Sequence, residues 1–228
     1  AFATGAFCKF VLGFEWLESL LIGAVISSTD AASVFSVLRS KKLNLRYGTA
    51  SILELESGSN DPWAYMLTVI ILSVMKGGAT AGGFVVSLLA QVFFGVGFGA
   101  LISLGAVYLI KRVRFDAAGF DAIFVTAIAI LSYALPSAVG GNGYLSCYIV
   151  GIVLGNTKIS GKTALVHFFD GITGFTQILL FFLLGLLAFP SQMPSIILPA
   201  AAIALFLTFV ARPVAVTVIM KPFGAKWK

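Results

Sequence analysis

The chain has 228 residues, of which 59% are hydrophobic and 11% are charged, and its mean hydropathy is +1.04. A soluble domain is about half apolar and about a quarter charged, so this composition excludes an ordinary soluble domain and indicates a membrane protein. The net charge of +6 does not indicate nucleic-acid binding, because the basic residues do not form one patch.

Hydropathy predicts an all-α fold, a polytopic bundle of transmembrane helices, since one span needs about 20 mostly apolar residues. The predicted segments are a partial helix at 1–12 and spans at 17–38, 50–75, 83–110, 118–136, 143–155, 171–189 and 195–220. The short span 143–155 is either tilted or extended backward through 140–142. Residues 160–170 are expected to form a short interfacial helix, and its His167 receives no chemical role.

The basic residues predict how these spans are oriented. Twelve of the fifteen lie in connections on one side, and the connections on the opposite side hold only Lys76. Positively charged loops stay cytoplasmic, so we expect the loop 39–46 to face the cytoplasm. We assign residues 1–228 to one transmembrane domain with no soluble domain, and we interpret the chain as an internal piece of a longer protein.

The span 17–38 contains the polar run Ser-Ser-Thr-Asp, which ends at Thr29 and Asp30. Hydroxyl side chains compete for backbone hydrogen bonds and loosen helices. A helix broken near Thr29 would present unwound carbonyl groups to a cation, as in many transporters. An ordinary helix whose hydroxyls bond to carbonyls four residues earlier is the open alternative.

The span 50–75 opens with the run Glu-Ser-Gly-Ser-Asn-Asp-Pro at 56–62. Ser57 and Asp61 are four residues apart and share one helix face, and Glu56 and Asn60 share another. One carboxylate can therefore face a cavity while the other faces protein. Pro62 removes a backbone donor and frees the carbonyl of Gly58, which is tolerated at membrane depth only where it meets protein, water or an ion.

Charged residues inside a membrane cost roughly 2.5–3.5 kcal/mol each, so they mark paired or functional positions. Arg212 is the basic residue well inside a span, and one cation cannot neutralise Asp30, Glu56 and Asp61 together.

Oxygen ligands select hard cations, and the absence of a nearby His or Cys cluster argues against zinc, copper or iron–sulfur sites. We expect no resident cofactor. Gly95 and Gly99 are expected to serve helix packing rather than nucleotide binding.

The motifs resemble those of the monovalent cation/proton antiporters, in particular the NhaP-type branch with an Asn-Asp pair. The matching residues are S-S-T-D-A-A (27–32), E-S-G-S-N-D-P (56–62), G-N-G-Y-L (141–145), G-I-V-L-G-N (151–156), H-F-F-D-G (167–171), F-F-L-L-G-L-L (181–187) and A-R-P (211–213). Thr-Asp-Ala, in place of the Thr-Asp-Pro of sodium-handling relatives, is similar to the bacterial potassium/proton antiporters.

This resemblance implies a role for each polar residue. Asp61 would be the carrier carboxylate and Asn60 its neutral partner, and Ser57 and the Thr29 backbone would help to bind a monovalent cation. Asp30 would support the site. Glu56 would form a structural ion pair with Arg212.

The resemblance also implies secondary active antiport of K⁺, or alternatively Na⁺, against H⁺ by competition for Asp61 with alternating access. The protein is expected to be no enzyme, to lie in the bacterial inner membrane in contact with lipid, and to form a homodimer. Relatives have further helices on both sides, including a second broken helix, so this piece alone should not transport.

Two other classes of membrane protein fit the sequence less well. Intramembrane aspartyl proteases place two aspartates in neighbouring helices, but in the contexts Tyr-Asp and Gly-x-Gly-Asp, whereas Asp30 and Asp61 stand in Thr-Asp-Ala and Asn-Asp-Pro. A cation channel should carry a repeated pore-lining filter, and the sequence shows none.

Overall fold

A computed structural model of the chain describes residues 1–30, 34, 49–77, 81–112, 119–159 and 161–221. The helices are α1 (Phe2–Phe10), α2 (Trp16–Val25), α3 (Thr49–Met75), α4 (Ala81–Arg112), α5 (Phe120–Ala138), α6 (Gly143–Asn156), α7 (Lys162–Leu187), α8 (Met193–Phe206) and α9 (Arg212–Met220). A 3₁₀ turn, Pro190–Gln192, precedes α8, and a π-helical turn, Leu207–Ala211, joins α8 to α9. The all-α fold class is thereby confirmed.

Among the described residues, four helical segments are long and apolar enough to cross a membrane, which supports the polytopic prediction. They are Gly82–Arg112, Phe120–Ala138, Lys162–Leu187 and Pro190–Ile219. The shorter apolar helices α2 and α6 accompany them. Helix α3 has 27 residues and is long enough to span, but its three carboxylates, at Glu54, Glu56 and Asp61, make it more polar than these four segments.

The helix predicted over 17–38 is broken near Thr29, as the sequence indicated. Helix α2 ends at Val25, and residues 28–30 have no helical structure. Both the backbone N–H of Ser27, at 3.3 Å, and its hydroxyl, at 2.7 Å, donate to the Ala24 carbonyl, so Ser27 satisfies this carbonyl at the end of the helix. Val34 is helical again, and the remainder of this segment and the loop 39–46 lie outside the described residues.

The prediction of a separate interfacial helix over 160–170 was wrong. Helix α7 runs unbroken from Lys162 to Leu187, after Gly161 in a left-handed conformation with φ of 70°. The apolar residues between Ala164 and Phe169 continue the apolar run that follows, and the helix passes through Gly171 without a break. The change in polarity near residue 170 therefore does not mark the end of a helix.

The alternative in which the sixth span extends backward was also wrong. Gly140 adopts φ of 78° in the turn after α5, and the Asn142 side chain caps α6 by accepting a hydrogen bond from the Leu145 N–H at 3.0 Å.

The last predicted span, 195–220, is helical but contains the π-helical turn. Pro213, which has no N–H to continue an α-helical ladder, follows that turn closely.

Helices α4, α5 and α6 pack against one another and form a buried core. The hydrophobic core between them includes Ala106, Ile128, Val150 and Leu154. A Cβ on Gly99 would lie 3.1 Å from the Cβ of Ile149 on α6, so the glycine permits close approach of the two helices. The predicted packing role of this glycine is confirmed.

The N-terminal helices form a second packed group. Helix α2 packs between α1 and α3, and α8 lies against α1, where the rings of Phe7 and Phe206 stack at 4.1 Å. The most apolar stretches of α7 and of the segment Pro190–Ile219 are not buried by the rest of the described chain, as expected for helix faces in contact with lipid. The packing of α2 on α3 positions the site.

Candidate ion-binding site

The non-helical segment after α2 lies against the polar first half of α3. Hydrogen bonds join Ser28 and Thr29 to four side chains of α3, across 27 to 33 residues of sequence. The segment is free to make these bonds because its backbone is not engaged in a helix. Two polar elements that were predicted separately are therefore one site.

Thr29 makes three kinds of contact with α3. Its backbone N–H donates to Asn60 Oδ1 at 3.3 Å, and its hydroxyl donates to Glu56 Oε2 at 3.0 Å. Its backbone carbonyl accepts a hydrogen bond from the hydroxyl of Ser57, which is buried. The unwound backbone at Thr29 is thus directed at the helix that carries Asp61, as the broken-helix prediction required.

Asn60 is held by two acceptors. Its Nδ2 donates to Thr29 Oγ1 at 2.6 Å and to Glu56 Oε1 at 2.8 Å. Glu56 and Asn60, one helical turn apart, were predicted to share a helix face, and this hydrogen bond joins their side chains. A carboxylate accepts and a backbone N–H donates, so these two partners select the orientation in which the amide NH₂ points toward Glu56 and its carbonyl toward the Thr29 backbone.

Asp61 lies beside this network and is solvent-exposed in the structure. The Ser28 hydroxyl donates a hydrogen bond to its Oδ1. Ser28 was not among the predicted site residues, although the run Ser-Ser-Thr-Asp contained it. A hydroxyl can donate to a carboxylate, accept from a protonated carboxyl, or coordinate a cation through its lone pairs, so it suits each state of Asp61.

The oxygen groups that the described part of the site offers are the Asp61 carboxylate, the Ser28 hydroxyl that donates to it, the Ser57 hydroxyl one helical turn before it, and the Thr29 carbonyl that accepts from Ser57. This chemistry matches hard monovalent or divalent cations rather than soft metals. Among the described residues, no group of three or more His, Cys, Asp or Glu side chains is placed to hold a metal ion. One carboxylate with neutral oxygens favours a cation of low charge.

Two further residues predicted to belong to the site have different surroundings. Asp30 is exposed, and its backbone carbonyl accepts from the Val34 N–H at 3.5 Å. Arg212 is exposed at the first residue of α9, and over the described part of the chain α9 packs against the π-helical turn and not against α3. The contacts described for Glu56 are those with Thr29 and Asn60, so its ion pair with Arg212 stays a prediction.

Helix α6 also contacts α3 along the stretch that carries the site. The fully buried Asn142, the capping residue of α6, donates from Nδ2 to the carbonyl of Pro62 at 3.0 Å, and the Tyr148 hydroxyl donates to the carbonyl of Leu55 at 3.4 Å. Sequence reasoning assigned neither residue to the site. Their partners are backbone atoms that lie 80 and 93 residues away in the chain, which leaves no local pattern to find.

The family follows from comparison with known proteins. The family model described as "Sodium/hydrogen exchanger, transmembrane" matches residues 1–228. The chain therefore belongs to the sodium/hydrogen exchanger family of transmembrane proteins, which confirms the resemblance read from the motifs.

Relatives refine this assignment. The chain is 39% identical over 225 residues to the K(+)/H(+) antiporter NhaP2 of Shewanella oneidensis, and 39% identical over 223 residues to the K(+)/H(+) antiporter NhaP of Alkalimonas amylolytica; each match covers 96% of this chain and 38% of the relative. It is 28% identical over 212 residues to the Na(+)/H(+) antiporter NhaS2 of a Synechocystis strain, which covers 89% of this chain and 38% of that relative. The chain spans less than two fifths of the length of these curated relatives.

Proposed function

We propose that the complete protein containing this chain exchanges a monovalent cation for protons across a membrane, and that both ions compete for Asp61. The observation that carries the proposal is the contact between the unwound segment Ser28–Thr29 and the Asp61 region of α3. It combines the two features an exchanger of this kind needs: a titratable carboxylate, and backbone oxygen released from helical pairing beside it.

Each residue of the site has a role in this proposal. Asp61 holds either a proton or the cation, and Ser57 and the Thr29 carbonyl complete the oxygen ligands. Asn60 is the neutral neighbour that leaves the site with a single exchangeable charge, and its amide is fixed by Thr29 and Glu56. Asp30, the residue after Thr29, supports the site through its negative charge.

Exchange follows from this arrangement. A bound cation favours the charged carboxylate, and a bound proton removes the charge that attracts the cation. One carboxylate therefore carries one ion or the other, never both. Rocking of the site past helices of the complete protein would expose it to alternate sides of the membrane. This is transport without an enzymatic reaction, and no resident cofactor takes part.

We favour potassium as the cation, because the relatives that share 39% identity are named potassium/proton antiporters. Sodium is the second candidate, supported by the more distant relative named as a sodium/proton antiporter. The bacterial relatives support a place in the bacterial inner membrane, with the loop 39–46 cytoplasmic by its positive charge. We also propose that the complete protein assembles as a homodimer.

The test is dissipation of an imposed pH gradient by the complete protein in lipid vesicles, titrated with K⁺, Na⁺ and Li⁺ separately. Cation-dependent proton flux is expected, with the lowest apparent KM for K⁺. Asp61→Asn should insert normally and abolish the flux. Glu54→Gln is the matched control, because Glu54 lies on the same helix, is exposed and is no part of the described site. Flux near the wild-type rate in Asp61→Asn would refute the assignment of the carrier.

A further inference from the structure

Asn142 joins three helices at one buried point. It is 0% exposed, its backbone N–H donates to the carbonyl of Gln91 on α4 at 3.1 Å, and its Nδ2 donates to the carbonyl of Pro62 on α3 at 3.0 Å. Its Oδ1 accepts from the Leu145 N–H and caps α6. The side chain therefore has two separable functions, a helix cap through oxygen and a link to α3 through nitrogen.

Tyr148 makes a second link between the same two helices. It lies six residues further along α6, and its hydroxyl donates to the Leu55 carbonyl at 3.4 Å. Its ring lies against Gly58 so closely that a Cβ on that glycine would be 2.5 Å from Tyr148 Cε2. The ring thus covers the backbone of α3 at the residue whose carbonyl Pro62 leaves without its helical partner.

The stretch of α3 between these two links is the one that carries the ion site. The links fall at Leu55–Gly58 and at Pro62, and Glu56, Ser57, Asn60 and Asp61 lie within or between them. Pro62 removes one backbone hydrogen bond from this stretch, which weakens the helix locally. The helix nevertheless stays continuous from Thr49 to Met75. Support from α6 gives a physical reason for that continuity.

We propose that Asn142 and Tyr148 are positioning residues for ion exchange: they hold α3 on both sides of the ion-binding stretch so that Asp61 keeps a fixed place relative to Ser28 and Thr29. Neither residue binds the ion. This inference rests on the proposed function, since it assigns these residues to the geometry of that site. Loss of either link should loosen the ligand set and weaken cation binding while the protein still folds.

The experiment separates the two functions of Asn142 in the complete protein. Asn142→Ser keeps a side chain that caps helices well but is too short to reach Pro62, whereas Asn142→Ala loses both the cap and the link. Tyr148→Phe removes only the hydroxyl. Asn156→Ala is the matched control on α6, because the Asn156 amide bonds to the Ile152 carbonyl of its own helix.

We expect Asn142→Ser and Asn142→Ala to raise the apparent KM for the cation about fivefold, which corresponds to about 1 kcal/mol. Tyr148→Phe should raise it about twofold, and Asn156→Ala should leave it unchanged. The measurement is cation-dependent proton flux in vesicles, normalised to folded protein, together with the thermal midpoint in detergent. An increase in KM with little change in maximal rate is the result that a purely structural role would not give.

Four outcomes would overturn the inference. A KM in Asn142→Ser equal to that of wild type would show that only the cap matters. Lower folded yield in Asn142→Ala with unchanged KM in the folded fraction would assign the residue to stability alone. If Asn142→Ser does not fold, an unchanged KM in Tyr148→Phe refutes the proposal. A wild-type protein without exchange refutes the proposed function instead, and this inference with it.

Discussion

The hydroxyl of Ser57 donates a hydrogen bond to the backbone carbonyl of Thr29, 28 residues earlier in the chain. Ser57 is buried, so this contact fixes the unwound segment to α3 at a point from which water is largely excluded. A carbonyl oxygen has two lone pairs, so it can accept this hydrogen bond and still coordinate a cation. In the proposed function, the contact therefore orders the Thr29 carbonyl as a cation ligand.

Removal of this hydroxyl should weaken cation binding. We expect Ser57→Ala to raise the apparent KM for the cation about five- to tenfold, because one hydrogen bond of about 1 kcal/mol and one ion ligand are lost together. Ser59→Ala is the control, since the Ser59 hydroxyl bonds only to the Glu56 carbonyl of its own helix among its described contacts. Flux assays on both variants at fixed pH measure the difference, and equal KM values would contradict a role for Ser57 in the site.

Competition for Asp61 makes a prediction about pH. A proton bound to the carboxylate excludes the cation, so lowering the pH should raise the apparent KM for the cation. The limit for one shared proton is about tenfold per pH unit, and the dependence should level off at high pH, where the proton no longer competes. Initial rates measured over a pH series at several cation concentrations test this, and a KM that does not change with pH would rule out a shared carboxylate.

The partner of Glu56 can be found by double-mutant cycles on thermal stability in detergent. The hydrogen bond from Asn60 to Glu56 predicts that Glu56→Gln and Asn60→Ala are coupled, by roughly 0.5–3 kcal/mol, as for other residues in contact. The ion pair predicted from the sequence requires in addition that Glu56→Gln and Arg212→Ala together cost less than the sum of their separate effects. Strict additivity in this second cycle would refute the pair and leave Asn60 and Thr29 as the partners of Glu56.

Two glycines of α6 should respond in opposite ways to the same substitution. A Cβ on Gly143 would lie 2.5 Å from the backbone carbonyl oxygen of Tyr133, whereas a Cβ on Gly151 would meet no atom of the described residues within 4 Å. We expect Gly143→Ala to destabilise the protein by about 1–3 kcal/mol through overpacking. Gly151→Ala should stabilise it slightly, by up to about 1 kcal/mol, because alanine favours a helix interior. Thermal midpoints of the two variants measure this contrast, and a similar shift in both would contradict the close approach of α5 and α6.

Much of this architecture could be predicted from the sequence because the patterns that define it are local. Apolar runs define the spans, and i,i+4 spacing alone places Glu56 and Asn60 on one face of α3. The run of hydroxyl residues before Asp30 indicated the break near Thr29, since such side chains compete with helical hydrogen bonds. The same motifs identified the family.

The sequence located helix ends less well, for a physical reason. Hydropathy reports the polarity of a segment, whereas a helix ends where the backbone geometry changes. Gly161 and Gly140, both with positive φ, mark the start of α7 and the turn before α6, but nothing in polarity distinguished them from the glycines that lie within helices. The boundary expected near 170 was inferred from composition, and the helix runs through it.

Only the tertiary structure decided which polar groups meet. The partners of Ser28 and Asn142 lie 33 and 80 residues away, at Asp61 and at the carbonyl of Pro62. Helical periodicity tells which residues share a face, but not which helix that face will contact, because that depends on how all the helices pack together. The sequence by itself thus determined which carboxylate, Asp61, we propose as the carrier and the chemistry of its neighbours in the chain, and packing determined which oxygens lie near it and which helix contacts its stretch of α3.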